Sequence, residues 1–137
     1  MSVLIYAESW DGSFRKSTFE AISYANEVSK LLDTDLVAIS FGNESKQELE
    51  KLAKYGATKI ITSDIIHKGD SEATTEFISK NINDVNIIVF ASSYTSKMIA
   101  PRLGAKLKAG IASNVIALPT STDPIQVQRK LLLLLKK

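Results

Sequence analysis

A run of hydroxyl side chains, Ser92-Ser93-Tyr94-Thr95-Ser96, is the part of the sequence best placed to do chemistry. It follows the apolar stretch Ile87–Ala91, which predicts a buried parallel strand, and precedes Lys97–Lys108, whose apolar spacing predicts a helix. Serine commonly caps a helix N-terminus, and hydroxyls and free amides that converge there can also hold an anion. The turn is therefore either a helix cap or an anion-binding loop.

Two charged residues, Glu8 and Arg102, join this turn as candidates. Glu8 ends the first predicted strand, and a pairing with Arg102 or Lys97 would hold two loops together without any chemistry. Arg102 follows Pro101, which we expect to kink the helix, and it is either a solvated or ion-paired cation or a contact for a partner or a phosphate. The candidate cofactor-binding residues are Glu8, Ser92, Ser93, Tyr94, Thr95 and Arg102.

No arrangement typical of an enzyme or a metal site accompanies these candidates. The Ser92-Ser93 pair lacks the GxSxG elbow of a hydrolase nucleophile, and the loop Glu8–Gly12 lacks a GxGxxG fingerprint. His67 is the only histidine, and the chain has no cysteine. Four acidic residues lie scattered without ligand spacing: Asp64, Asp70, Glu72 and Asp84. We therefore expect neither an independent catalytic function nor a bound metal.

Composition narrows the class of protein further. The length of 137 residues fits one domain, and a net charge of +2 is too small for a nucleic-acid surface. The longest apolar runs, such as Leu131–Leu135, fall far short of a membrane span, and no signal peptide is visible. Together with the lack of cysteine, this predicts a cytoplasmic protein without a nucleic-acid or membrane partner.

Short apolar strands alternate with amphipathic helices along the chain. The predicted helices begin at Ser17 and Ser45, each with glutamate three residues on as in a capping box, at Asp70 or Ser71, and at Lys97. The predicted strands are Val3–Ala7, Leu36–Phe41, Lys59–Thr62, Ile87–Ala91 and Asn114–Leu118. This alternation predicts an α/β, Rossmann-like three-layer sandwich with a five-stranded, mainly parallel sheet in the order 3-2-1-4-5.

The character of the chain changes after Pro119. Residues 1–119 form the predicted domain, and 120–137 form a linker with an apolar tail that contains five consecutive leucines. Exposed leucines are unfavourable in water, so we expect this tail to be covered. One possibility is a homo-oligomer in which Ile125–Leu135 pairs with the same segment of a second copy.

Three stretches share a specific order and spacing: Val3–Glu8 with Ser17–Glu20, Leu52–Ala57, and Ala100–Leu107 with Gly110–Val115. Together they resemble the N-terminal domain of the electron transfer flavoprotein alpha subunit, from residue 3 to about residue 129. The resemblance implies a heterodimeric carrier whose alpha and beta subunits together hold one FAD between dehydrogenases and a quinone reductase.

In that family the N-terminal domain is mainly scaffold and interface, and most of the FAD lies in a second alpha domain. The resemblance therefore implies FAD in the full heterodimer, with that second domain lying beyond the present sequence. The alternative is a free-standing adenine-nucleotide-binding module, similar to universal stress and adenine nucleotide alpha hydrolase-like proteins, with ATP or AMP at Ser92–Ser96.

Overall fold

The computed structural model of the protein describes residues 2–42, 44–63, 70–115, 117–122 and 125–126. Its helices are Lys16–Leu31 (α1), Lys46–Lys54 (α2), Ser71–Lys80 (α3) and Tyr94–Leu107 (α4). Its strands are Ser2–Tyr6 (β1), Ser9–Trp10 (β2), Ser13–Phe14 (β3), Asp35–Phe41 (β4), Lys59–Ser63 (β5), Val85–Phe90 (β6), Ser121–Thr122 (β7) and Ile125–Gln126 (β8).

Four of these strands form the main sheet, in the order β5-β4-β1-β6. All three neighbouring pairs are parallel, and β1 lies between β4 and β6. Numbered by the predicted strands, this order is 3-2-1-4. The predicted α/β class and the central position of the first strand are therefore confirmed.

The fifth strand differs from the prediction. In the described part of 114–118, Val115 forms an isolated bridge, and Ile116 lies outside the described residues. The main sheet as described thus has four strands, and β6 is its edge rather than a central strand. This position explains why Ile87, Ile88, Val89 and Phe90 are half-buried instead of buried.

The sheet separates two apolar clusters, because successive side chains of a strand point to opposite faces. Val3 and Ile5 of β1 belong to the cluster that contains residues of α1 and α2. Leu4 and Tyr6 belong to the cluster that contains residues of α3 and α4. The predicted three layers, helices on both faces of one sheet, are present.

Two of the predicted helix starts are confirmed. Ser45 accepts a hydrogen bond from the amide of Glu48 at 3.2 Å, and Asp70 accepts one from the amide of Ala73 at 2.9 Å. These side chains satisfy amides that have no partner inside their helices, which fixes where α2 and α3 begin.

The other two helices begin earlier than predicted. Helix α1 begins at Lys16, and its N-cap residue Arg15 makes no side-chain cap, so the capping box predicted at Ser17 is wrong. Thr18 instead donates to the carbonyl of Glu8 at 2.8 Å and ties the helix to the end of β1. Helix α4 begins at Tyr94 and runs through Pro101 to Leu107.

The loop after β1 is more regular than predicted. Strands β2 and β3 form an antiparallel hairpin, with Asp11 and Gly12 between them at φ 50° and 80°. An Asp-Gly pair with two positive φ angles is typical of the turn that matches the twist of a hairpin. Farther along the chain, β7 and β8 pair antiparallel, whereas the leucine run and most of Ile125–Leu135 lie outside the described residues, as does His67.

Candidate functional site

The candidate site lies at the carboxyl ends of β1 and β6, where α4 begins. Parallel strands deliver the residues that follow them to the same edge of the sheet, and ligands of open α/β sheets bind there. Glu8 follows β1 and is only 4% exposed. Its Oε2 atom accepts a hydrogen bond of 2.7 Å from the hydroxyl of Ser93, which follows β6. The fold thus joins two predicted site residues that are 85 positions apart.

Ser93 has a second role as the N-cap of α4. Its Oγ atom accepts a hydrogen bond from the amide of Ser96 at 3.0 Å, and the Ser96 hydroxyl lies at the same distance. Ser96 is buried beneath this cap. The single hydroxyl of Ser93 therefore caps the helix and holds Glu8 against its N-terminus.

The ion pairs predicted for Glu8 are wrong. Arg102 and Lys97 are both exposed, and the described contact of the carboxylate is the serine hydroxyl. For Arg102 the physical reason is its position along the helix: it lies more than two turns from the end at which Glu8 sits, roughly 12 Å at 1.5 Å per residue. Among the described residues, Glu8 Oε1 is buried and has no hydrogen-bond partner.

A second carboxylate lies on the neighbouring loop and was not anticipated from the sequence. Glu44 Oε1 accepts hydrogen bonds from the hydroxyls of Ser9 at 2.6 Å and Ser40 at 2.8 Å. Ser9 also lies 3.2 Å from the carbonyl oxygen of Phe41. The only hint in the sequence is that Ser40 lies near the end of β4 and Ser9 lies shortly after β1, two strands that prove to be neighbours.

Tyr6, the last residue of β1, is buried in the core within electrostatic reach of both carboxylates. Burial raises the pKa of its phenol, and the charges of Glu8 and Glu44 raise that pKa further. A negative charge in this region is thus opposed by low polarity and by two acidic neighbours.

The remaining predicted site residues do not converge on Glu8. Ser92 and Arg102 are exposed, Thr95 is half-buried, and Tyr94 is 82% exposed. Only Glu8 and Ser93 of the predicted set are in contact.

In the crevice between the loops that follow β1 and β6, the described hydroxyls do not form a cradle for a nucleotide or flavin phosphate. A phosphate needs free hydrogen-bond donors, whereas the Ser93 hydroxyl is engaged with Glu8 and the Ser9 and Ser40 hydroxyls are engaged with Glu44. In the part of the chain that the structure describes, no group of three or more histidine, cysteine or acidic side chains is arranged to hold a metal. None of the described helices is long and apolar enough to span a bilayer.

A separate groove of about 570 Å³ lies beside α1. It is lined by Lys16, Phe19, Glu20, Ser23 and Tyr55. The rings of Phe19 and Tyr55 stack with their centroids 4.7 Å apart. This groove shares no residue with the Glu8 and Ser93 contact.

Sequence comparisons agree with the resemblance described above. The family model described as electron transfer flavoprotein domain matches residues 3–132. An electron transfer flavoprotein subunit alpha from Syntrophomonas wolfei is 31% identical over 121 residues, covering 85% of this chain and 37% of the relative. The subunit alpha from Bacillus subtilis is 27% identical over 120 residues, covering 83% and 36%.

A more distant relative carries a different name. The lactate dehydrogenase (NAD(+),ferredoxin) subunit LctC of Acetobacterium woodii is 22% identical over 134 residues, covering 92% of this chain and 32% of the relative. The chain thus spans about a third of the length of these curated relatives. Because the family match covers nearly all of its residues, the chain belongs to the electron transfer flavoprotein domain family and resembles the N-terminal part of the alpha subunits.

Proposed function

We propose that this domain is a non-catalytic scaffold and interface in a heterodimeric electron carrier that holds FAD and passes electrons from dehydrogenases to a quinone reductase. Its partner is a beta-type subunit of the same family. The relatives named as alpha subunits support this assignment, and the chain spans 37% of the first of them.

One structural observation favours a scaffold over a cofactor-binding domain. The crevice at the carboxyl edge of the sheet, where a nucleotide would bind in an α/β domain, is occupied by the protein's own carboxylate on the Ser93 hydroxyl. Since the described residues leave no phosphate cradle there, we place the flavin in the full heterodimer rather than in this chain. No step of electron transfer is assigned to any of its side chains.

The test is co-expression of this chain with a beta-type subunit from the same source. We expect the two chains to elute together in size-exclusion chromatography, and we expect the chain purified alone to show no flavin absorbance after incubation with FAD and desalting. Failure to associate would contradict the proposed partner. Stoichiometric flavin on the isolated chain would contradict the proposed division of roles.

A nucleotide titration separates this function from that of a free-standing nucleotide-binding module. A bound ligand in large excess over its Kd raises the Tm of a small domain by several degrees. We expect AMP and ATP to leave the Tm of the wild-type chain unchanged. A saturable rise with either nucleotide would favour the module.

A further inference from the structure

The N-terminus of α4 is the strongest anion-attracting feature of the crevice. Helix α4 is 14 residues long, its first turn contains no acidic residue, and the amides of its first turn lack partners inside the helix. The aligned peptide dipoles give such an end a partial positive charge. A helix end of this kind attracts an anion, whether from solution or from the protein itself.

Glu8 supplies that anion from within the chain. It lies on a different element, 85 residues away, and it is 4% exposed while its Oε2 atom accepts from the capping Ser93 at 2.7 Å. Its Oε1 atom is buried without a hydrogen-bond partner in the described part of the protein. A buried carboxylate is costly unless it is paired, so the helix end and the serine are what offset its burial.

The hydroxyl of Ser93 can donate only one hydrogen bond at a time, because it carries one proton. The same hydroxyl would be the natural donor to a phosphate bound at the start of α4. The Glu8 side chain therefore takes both the donor and the space that such a ligand would need, and its charge repels a second anion.

From these contacts we infer that Glu8 is the specificity-determining residue that closes this crevice to phosphate groups, and that its removal opens a site for free phosphate or a phosphate monoester. The inference rests on the same Glu8 and Ser93 contact that supports the proposed function, and it concerns the chain without flavin or partner subunit. It assigns to one buried carboxylate the exclusion of an entire class of ligands.

The test compares the wild-type chain with Glu8→Ala by calorimetric titration and by Tm, using inorganic phosphate against sodium chloride of equal ionic strength. We expect no saturable response from the wild type, and a saturable response with a Tm rise of several degrees from Glu8→Ala. Adding Ser93→Ala to Glu8→Ala should abolish the response. Glu20→Ala is the matched control, because it removes an exposed glutamate of α1.

A repeat titration of Glu8→Ala with AMP tests whether the nucleoside contributes to binding in addition to the phosphate group. A response equal to that of inorganic phosphate means that the phosphate group alone is recognised, and a tighter one means that the nucleoside also contributes; either result supports the inference. Should Glu8→Ala not fold, Glu8→Gln removes the charge at constant size and is expected to give a weaker response of the same sign.

Saturable phosphate binding by the wild type would overturn the inference. So would the lack of any response from both Glu8 variants. The beta-type subunit is absent from these titrations, so a failure here is distinguishable from a failure of the proposed association.

Discussion

At the scale of single residues, the hydroxyl of Ser93 makes two contacts, a helix cap and a hydrogen bond to a buried carboxylate. It caps α4 and donates to the buried Glu8, whereas Ser45 caps α2 by accepting from the Glu48 amide alone. Loss of a serine cap costs about 1 kcal/mol, and loss of a hydrogen bond to a charged group costs roughly 1.5–3 kcal/mol more. We expect Ser93→Ala to lower the free energy of unfolding by about 2–4 kcal/mol, and Ser45→Ala by about 1 kcal/mol.

Urea unfolding of the two variants under identical conditions measures this difference. Both substitutions remove one oxygen from an N-cap serine, so the comparison isolates the contact with Glu8. Equal losses would mean that the carboxylate gains nothing from Ser93. If the contact stabilises the fold as expected, introducing Ser93→Ala into Glu8→Ala should lower the free energy of unfolding by no more than the loss of an ordinary cap, because the carboxylate is already absent.

Tyr6 makes the stability of the fold decrease as the pH rises in the alkaline range. Its pKa in the folded chain lies above the ordinary value of 10.0, because of burial and the charges of Glu8 and Glu44. The unfolded chain therefore releases this proton first as the pH rises. Stability is fully present below pH 10 and is lost as the pH climbs above it, at about 1.4 kcal/mol per pH unit for one proton.

Tyr6→Phe removes this ionisation. We expect the variant and the wild type to differ by a constant amount below pH 9, and the wild type to lose stability faster above pH 10, at about 1.4 kcal/mol per unit. Chemical unfolding between pH 8 and 11 measures both slopes. Tyr94→Phe, at an 82% exposed position, serves as the control and should follow the wild-type curve. Parallel curves for Tyr6→Phe would contradict the prediction.

The residues of the site show where sequence reasoning stopped. Glu8 and Ser93 were both identified, because one ends a predicted strand and the other precedes a predicted helix. Their direct contact was not predicted, because a cation is the usual partner of a buried carboxylate. In addition, a helix that begins at Lys97 instead of Tyr94 would place Arg102 closer to the helix N-terminus and so to Glu8. The Ser9, Ser40 and Glu44 cluster brings together residues from three separate parts of the fold, and local sequence patterns do not predict such a contact.

At the scale of elements, the parallel strands and the four helices were predictable because each has its own periodicity and most have their own cap. The position of β6 at the edge of the described sheet was not predictable, because the burial of a strand depends on which other elements pack beside it. Five successive apolar residues suggested a central strand, yet Ile87–Phe90 are half-buried. The hairpin at Asp11 and Gly12 was predictable in principle, because an Asp-Gly pair is a typical signal for its turn.

The end of α2 provides a prediction about an element boundary. Gly56 has φ +118°, and a Cβ atom added there would lie 2.4 Å from the side chain of Asn26 on α1. Because non-glycine residues are strained at this angle, we expect Gly56→Ala to lower the free energy of unfolding by roughly 1–3 kcal/mol. Gly110→Ala is the control, since nothing lies within 4 Å of the added atom.

Thermal unfolding followed by circular dichroism distinguishes the two glycine variants. For a domain of this size, a loss of 1–3 kcal/mol corresponds to a Tm lower by roughly 3–15 °C. The Gly110 variant should remain within about 0.5 kcal/mol of the wild type, as is usual for a surface change. A Gly56→Ala variant as stable as Gly110→Ala would show that α1 and α2 adjust to the added methyl group without cost.

At the scale of the whole molecule, one hydrogen bond ties the segment that follows α4 back to the first helix. The hydroxyl of Tyr24 on α1 donates to the carbonyl of Ala117 at 2.9 Å, across 93 residues. Burial also raises the pKa of this phenol above its ordinary value. The contact anchors the segment that follows α4 without requiring a strand there.

Removing this anchor should loosen the segment more than it destabilises the domain. We expect Tyr24→Phe to cost about 0.5–1.5 kcal/mol globally, the usual contribution of one hydrogen bond, and to raise hydrogen exchange within 111–122 while exchange in β1 and β4 changes little. Tyr55→Phe is the matched control, because its ring stacks on Phe19 and should continue to do so without the hydroxyl. Unchanged exchange in 111–122 would mean that the segment is held by contacts other than Tyr24. A rise in hydrogen exchange confined to this segment would show that Tyr24 holds the segment that follows α4 against the core.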